Sequence, residues 1–171
     1  MSQKTIINKE DALSKIKDIP IFKGLKDEAE SLNILHNICK IRSYNKDEVI
    51  IKEGDIGSEM FIVYSGSVEI RKRTRAGDDY TVAKLKAEQN VFFGELALID
   101  DDKRSATVIA SSDSIFIVLS KNDFLEMGNT YPAISLPITR AIAKIIASRL
   151  RKTTQDMMTI FDALVNELHD A

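Results

Sequence analysis

The chain has 171 residues, 44% hydrophobic and 29% charged, the balance of an ordinary globular protein with one domain, or one domain and a helical extension. That length buries a core without staples. The single cysteine, Cys39, excludes an internal disulfide and a cysteine-rich metal framework, and the formal charge of −2 excludes a global positive field that would draw the protein to nucleic acid or anionic lipid.

Residues 1–38 are expected to be helical. Leu13, Ile16 and Ile19 recur at spacing three before Pro20 interrupts, and Leu32, Leu35, Ile38 and Cys39 suggest a second short helix. Between them "IPIFKGL", residues 19–25, reads as a turn with apolar anchors. The first fifteen residues hold no apolar core of signal-peptide length, and no run approaches the roughly 18 apolar residues that span a bilayer. A cytoplasmic protein without a membrane partner is expected.

Residues 39–120 change character. The short runs "EVIIK", "MFIVY", "SVEIRKR", "TVAKL", "SATVIA" and "SIFIVL" alternate with the turn signals "YNKDE", "EGDIGS", "YSGS", "RAGDD" and "DDDK". Short strands with polar turns and no intervening helix predict an antiparallel sandwich or roll. The basic run "RKRTR", residues 71–75, falls at a hairpin turning at Gly77 and reads as its solvated part.

Residues 121–171 return to helix. Pro137 suits a helix start, and Ile138, Ile142, Ile145, Ile146 and Leu150 form one apolar face. Leu150, Met157, Phe161, Leu164 and Leu168 then keep a seven-residue rhythm with Thr154 in the seam. Two readings stand for this stripe: a helix packed on its own β-roll, or the seam of a homodimer. The tail "MMTIFDALVNELHDA" is too short for a helix-turn-helix with a recognition helix, so DNA is not an expected partner.

The densest chemistry lies in "FFGELALIDDDKRSATV", residues 92–108. Gly94 lets backbone approach a ligand, and "ELALID" can form a helical turn whose first N–H groups attract an anion. Glu95 would repel a bare phosphate but accepts hydrogen bonds from hydroxyls. Arg104, nine residues later, supplies a fork of donors for phosphate oxygens, with the Ser105 hydroxyl beside it. Phosphate plus ribose is the economical ligand. The plainer alternative pairs Arg104 with Asp100, Asp101 or Asp102 in a solvated turn. "DDDK" lacks the ligand spacing of a calcium loop.

These residues resemble the phosphate-binding cassette of the cyclic nucleotide-binding domain family, which includes kinase regulatory subunits and catabolite activator proteins. "EGDIGSEMFIVYSGSVEI" (53–70), "IPIFKGL" (19–25) and "FLEMGNTYPAISLPITRAIAKIIASRL" (124–150) resemble further blocks of the family, so the likeness runs from about residue 13 to 152. It implies an α+β fold: a jelly-roll-like antiparallel β-roll of about eight strands, flanked by N-terminal helices and by C-terminal hinge and lid helices. One domain would comprise a helical segment (1–38), the β-roll with its cassette (39–120, cassette 92–108) and the C-terminal helices (121–171).

The resemblance also implies a ligand set of Gly94, Glu95, Leu96, Ala97, Arg104 and Ser105. Glu95, with the Gly94 backbone, would hold the ribose 2′-hydroxyl. Arg104, with the Ala97 and Ser105 amides, would hold the cyclic phosphate. Asn90 stands where many members carry glycine, and Asn tolerates left-handed backbone. Ser58 stands where kinase-type members often carry an aspartate that orients the arginine, with Glu59 as a substitute. Ser105 stands where cyclic-AMP sites of the kinase type have alanine and cyclic-GMP sites often threonine. The implied function is a sensor of cyclic AMP, alternatively cyclic GMP, signalling in trans to a downstream protein through its C-terminal helices. A ligand-free interaction or dimerisation module is the alternative. No cofactor, catalytic residue or metal ligand is assigned: His36 and His169 are too few and too far apart in sequence for a metal cluster, and neither nucleophile triad nor P-loop is present, so an enzyme is not expected.

Overall fold

A computed structural model describes residues 7–25, 27–74 and 76–169. Expectations for residues 1–6, 170–171, Arg75 and the His169 side chain lie outside the described residues. The chain runs through α1 (Lys9–Asp18), a 3-10 turn (Pro20–Leu25), α2 (Ala29–Asn37), eight strands and two further helices. The strands are β1 (Lys40–Tyr44), β2 (Val49–Ile51), β3 (Glu59–Ser65), β4 (Ser67–Arg73), β5 (Asp79–Lys86), β6 (Phe92–Phe93), β7 (Thr107–Ala110) and β8 (Ser114–Ser120). The helices α3 (Lys121–Thr130) and α4 (Pro132–His169) follow.

The strands form two four-stranded sheets, β1-β8-β3-β6 and β2-β7-β4-β5, with every pairing antiparallel. Strand side chains alternate between faces, and here the alternation divides two cores. Phe61 and Val63 of β3, with Phe116 and Val118 of β8, face the space between the sheets with Ile51, Val68, Phe93 and Val108. Their neighbours Met60, Ile62, Ile117 and Leu119 face the helices and join Ile16, Phe22, Leu35, Ile138 and Ile142. Being buried on both faces, β3 and β8 read as unbroken apolar or aromatic runs, "MFIVY" and "IFIVL".

Local signals explain the ends. Asn8 caps α1 by accepting from the Asp11 amide, and Ser120 caps α3 by accepting from the Asp123 amide. Asn90 adopts the left-handed conformation (φ 51°, ψ 50°), and its side-chain oxygen accepts from Lys15, tying α1 to the roll. The described part of the basic run, residues 71–74, leads into the predicted hairpin: Arg71 pairs with Glu69, and Arg73 Nε donates to the Gly77 carbonyl.

Two expectations are corrected. The last helix begins at Pro132, and Pro137 lies inside it. Its ring packs against Gly24, where a Cβ would sit 3.2 Å from the Pro137 Cβ, so the proline docks α4 onto the 3-10 turn. Ile38 and Cys39 fall beyond α2; Cys39 donates to the Leu35 carbonyl, and burial pushes its thiol up to about 12.

The apolar face of α4 divides at its middle. Ile134, Ile138 and Ile142 are buried, whereas Leu150, Met157, Phe161, Leu164 and Leu168 are all more than half exposed. The seven-residue stripe therefore does not pack on its own roll. No described helix is long and apolar enough to cross a membrane.

Candidate functional site

The cassette leaves β6 at Phe93 and turns at Gly94, whose φ of 77° disfavours any side chain. A 3-10 turn, Glu95–Leu98, follows. Glu95 is only 3% exposed although it is charged, and Ala97 is also buried. Leu96 is half-buried, and Ser105 lies on the surface. The Ala97 amide, which the resemblance aims at phosphate, donates to the Gly94 carbonyl at 3.2 Å.

Arg104 reaches this turn because its backbone is fastened to a distant loop. Its amide donates to the Asp55 carbonyl (2.8 Å), and its carbonyl accepts from the Gly54 amide (2.9 Å). The side chain then passes between two glycines. A Cβ on Gly57 would lie 2.0 Å from Arg104 Nε, and one on Gly94 would lie 2.9 Å from Nη1. Nη2 donates to the Glu59 carbonyl (2.7 Å) and Nη1 to the Gly94 carbonyl (3.3 Å). A guanidinium has five N–H donors, so these two bonds orient the group and leave donors for an anion. Burial lowers the Arg104 pKa, while the charges of Glu59 and Glu95 push it back up; an arginine so placed stays cationic.

The aspartates of the turn do not claim this cation. Lys121, at the start of α3, donates to the Asp100 carbonyl (2.8 Å) and to the Asp101 carboxylate (2.7 Å). The plainer reading of Arg104 as a partner of Asp100–Asp102 is thus replaced by backbone partners.

Two participants escaped the sequence reading. Arg149 of α4 donates through Nη1 to Glu95 Oε1, so the buried carboxylate is paired with the C-terminal helix. Its signal was faint: Arg149 follows Ile142 by seven and Ile145 by four, a charge in line with a core-facing stripe. The other is Arg42 of β1, which clasps Glu59 bidentately at 2.5 and 2.7 Å. Glu59 therefore serves Arg104 with its carbonyl, while its carboxylate is engaged elsewhere. A cleft of about 250 Å³ opens between Arg42, Tyr44, Ile51, Glu59, Phe61 and Arg104.

The model of the family described as "Cyclic nucleotide-binding domain" matches residues 41–131, just over half of the chain. The chain belongs to the cyclic nucleotide-binding domain family. It is 38% identical over 96 residues to a cAMP-dependent protein kinase regulatory subunit of Mycosarcoma maydis, across 56% of this chain and 17% of that protein. It is 27% identical over 131 residues to the human cGMP-dependent protein kinase 2, across 76% of this chain and 17% of that one. Among solved structures, the Thermus thermophilus Catabolite Activator Protein superposes with a TM-score of 0.73 at 27% identity, over 82% of this chain and 62% of that chain. The chain thus spans a small part of each kinase relative and under two thirds of the solved bacterial chain. The eight antiparallel strands in two sheets with flanking helices are the family's β-roll.

Proposed function

We propose that the chain is a cyclic nucleotide sensor that binds 3′,5′-cyclic AMP in preference to cyclic GMP, acting in the cytoplasm as one domain. The observation that carries this reading is the seating of Arg104. An arginine clamped by two carbonyls, threaded between two glycines, keeps free donors within one turn of a buried carboxylate. That juxtaposition suits a ligand with an anion and hydroxyls on one ring. Arg104 and the Ser105 amide take the cyclic phosphate, Glu95 and the Gly94–Ala97 turn take the ribose, and Leu96 borders them. The Ala97 amide joins only if its bond to Gly94 opens.

The route outward is the Arg149–Glu95 pair. A ribose hydroxyl that reaches Glu95 meets a carboxylate already held by α4, so occupancy changes the contact between cassette and helix. Ligand binding then shifts the population of α4 packings, and a downstream protein reads the shift. Titration calorimetry of nucleotide-free protein with cyclic AMP and then cyclic GMP tests this. Saturable binding tighter for cyclic AMP is expected; heat from neither nucleotide rejects the sensor.

The exposed stripe on α4 favours a second role as a dimerisation module. Leu150, Met157, Phe161, Leu164 and Leu168 offer about five turns of apolar seam. Leu164→Asp places a charge on that seam. The wild type is expected to run as a dimer by light scattering and the variant as a monomer. Equal masses for the two remove α4 as the interface.

A further inference from the structure

The cleft behind Arg104 holds a second arginine that the cassette does not account for. Arg42 sits on β1 opposite Phe116 of β8, and Glu59 opens β3 opposite Ser120 of the same strand. The ion pair therefore runs diagonally across β8. Both Arg42 nitrogens reach the carboxylate, at 2.5 and 2.7 Å, the fork geometry that most restricts a carboxylate's rotation.

Glu59 carries two functions on one residue. Its carbonyl accepts from Arg104 Nη2 at 2.7 Å. Its carboxylate is bonded to Arg42, and Arg104 lines the same cleft. Arg42 wins the carboxylate; Arg104 is left with carbonyls, which are neutral acceptors. A carboxylate released by Arg42 would have a nearby cation with free donors to bind, and an acidic side chain on Arg104 competes directly with an anionic ligand.

We propose that Arg42 is a positioning residue of the anion site, which clasps the Glu59 carboxylate and so keeps it off the Arg104 guanidinium. The same clasp steadies the Glu59 carbonyl that orients Arg104. Arg42 touches no ligand; it keeps the ligand's arginine uncommitted. The proposal rests on the reading of Arg104 as the phosphate partner, but its first consequence concerns Arg104 alone.

The experiment uses the full chain as wild type, Arg42→Gln, Glu59→Gln and the double variant. Without nucleotide, the Arg104 guanidinium resonances are followed by NMR, assigned by their loss in Arg104→Ala. Arg42→Gln is expected to shift them and to slow rotation about the Nε–Cζ bond as Glu59 closes on Arg104; the double variant returns them toward wild type. With cyclic AMP, Arg42→Gln is expected to bind about tenfold more weakly, and the double variant to recover to within about threefold of wild type. A purely structural role for the pair predicts the reverse order, with the double variant no better than the single one. Unchanged Arg104 resonances in Arg42→Gln overturn the proposal, as does a double variant as weak as the single. If the wild type binds no cyclic nucleotide, the sensor reading fails, and the Arg104 resonances alone decide the clasp.

Discussion

Arg104→Ala is expected to weaken cyclic AMP binding by roughly 2–4 kcal/mol, about 30- to 900-fold, with little loss of stability. The affinity loss follows from removing the cation that faces the phosphate. The cyclic phosphodiester stays ionised, and an anion deprived of its charged partner in a half-buried turn loses a charge-assisted fork that water replaces poorly. Stability changes little because the side chain donates only to two carbonyls beside an open cleft, where water can take its place. The backbone bonds that fasten residue 104 to Gly54 and Asp55 survive the substitution. Burial lowers the guanidinium pKa, but from so high a starting point that it stays charged; wild-type affinity should be flat between about pH 6 and 9. Calorimetry of both proteins, with melting temperatures alongside, checks the pair of expectations. Equal affinities would remove Arg104 from the site.

The roll was legible because its pattern is local. "MFIVY" and "IFIVL" carry apolar or aromatic side chains on both faces, and strands buried on both faces require that. Gly94 at positive φ and the left-handed Asn90 were legible for the same reason, since each residue type answers to its own backbone. Arg149 was barely legible, because its partner lies 54 positions earlier and its place in line with the apolar stripe of α4 is only a faint signal. Glu59 was half legible. Its closeness to Arg104 in the fold could be guessed from the missing aspartate at Ser58, but which of its oxygens does the work depends on Arg42, from a strand two places away in the sheet. The Ala97 amide, matched by motif, donates within its own turn, a local bond that the sequence did not announce.

The Arg149–Glu95 pair explains how a 3%-exposed carboxylate is tolerated in the cassette. A buried charge without a partner costs several kcal/mol, so Glu95 needs a cation whenever no ligand serves it. The Arg149 side chain is itself 59% exposed, so water reaches the cation while the carboxylate stays buried. A carboxylate has two oxygens, and Arg149 is bonded to one of them. The helix thus holds the same group that a ribose would touch under the proposed function, and one side chain, Arg149, joins the cassette to the helix that carries the exposed seam.

Gly57→Ala is expected to match Arg104→Ala in lost affinity while leaving the melting temperature unchanged or slightly raised. The added Cβ would stand 2.0 Å from Arg104 Nε, and 2.5 and 2.6 Å from Cζ and Nη2. All three atoms belong to the far end of a flexible side chain, so the guanidinium swings away rather than the backbone yielding. Gly57 is not among the positive-φ glycines, so alanine fits its backbone; such replacements stabilise by about 0.4–1 kcal/mol through the unfolded chain. Gly94→Ala is the contrast. Its φ is 77° and its Cβ would meet the Glu59 carbonyl oxygen at 2.9 Å, so that variant strains the backbone and lowers stability as well as affinity. Titration and thermal melts of the two variants separate them. A Gly57→Ala protein that binds cyclic AMP like wild type would show that the guanidinium does not need the path between the glycines.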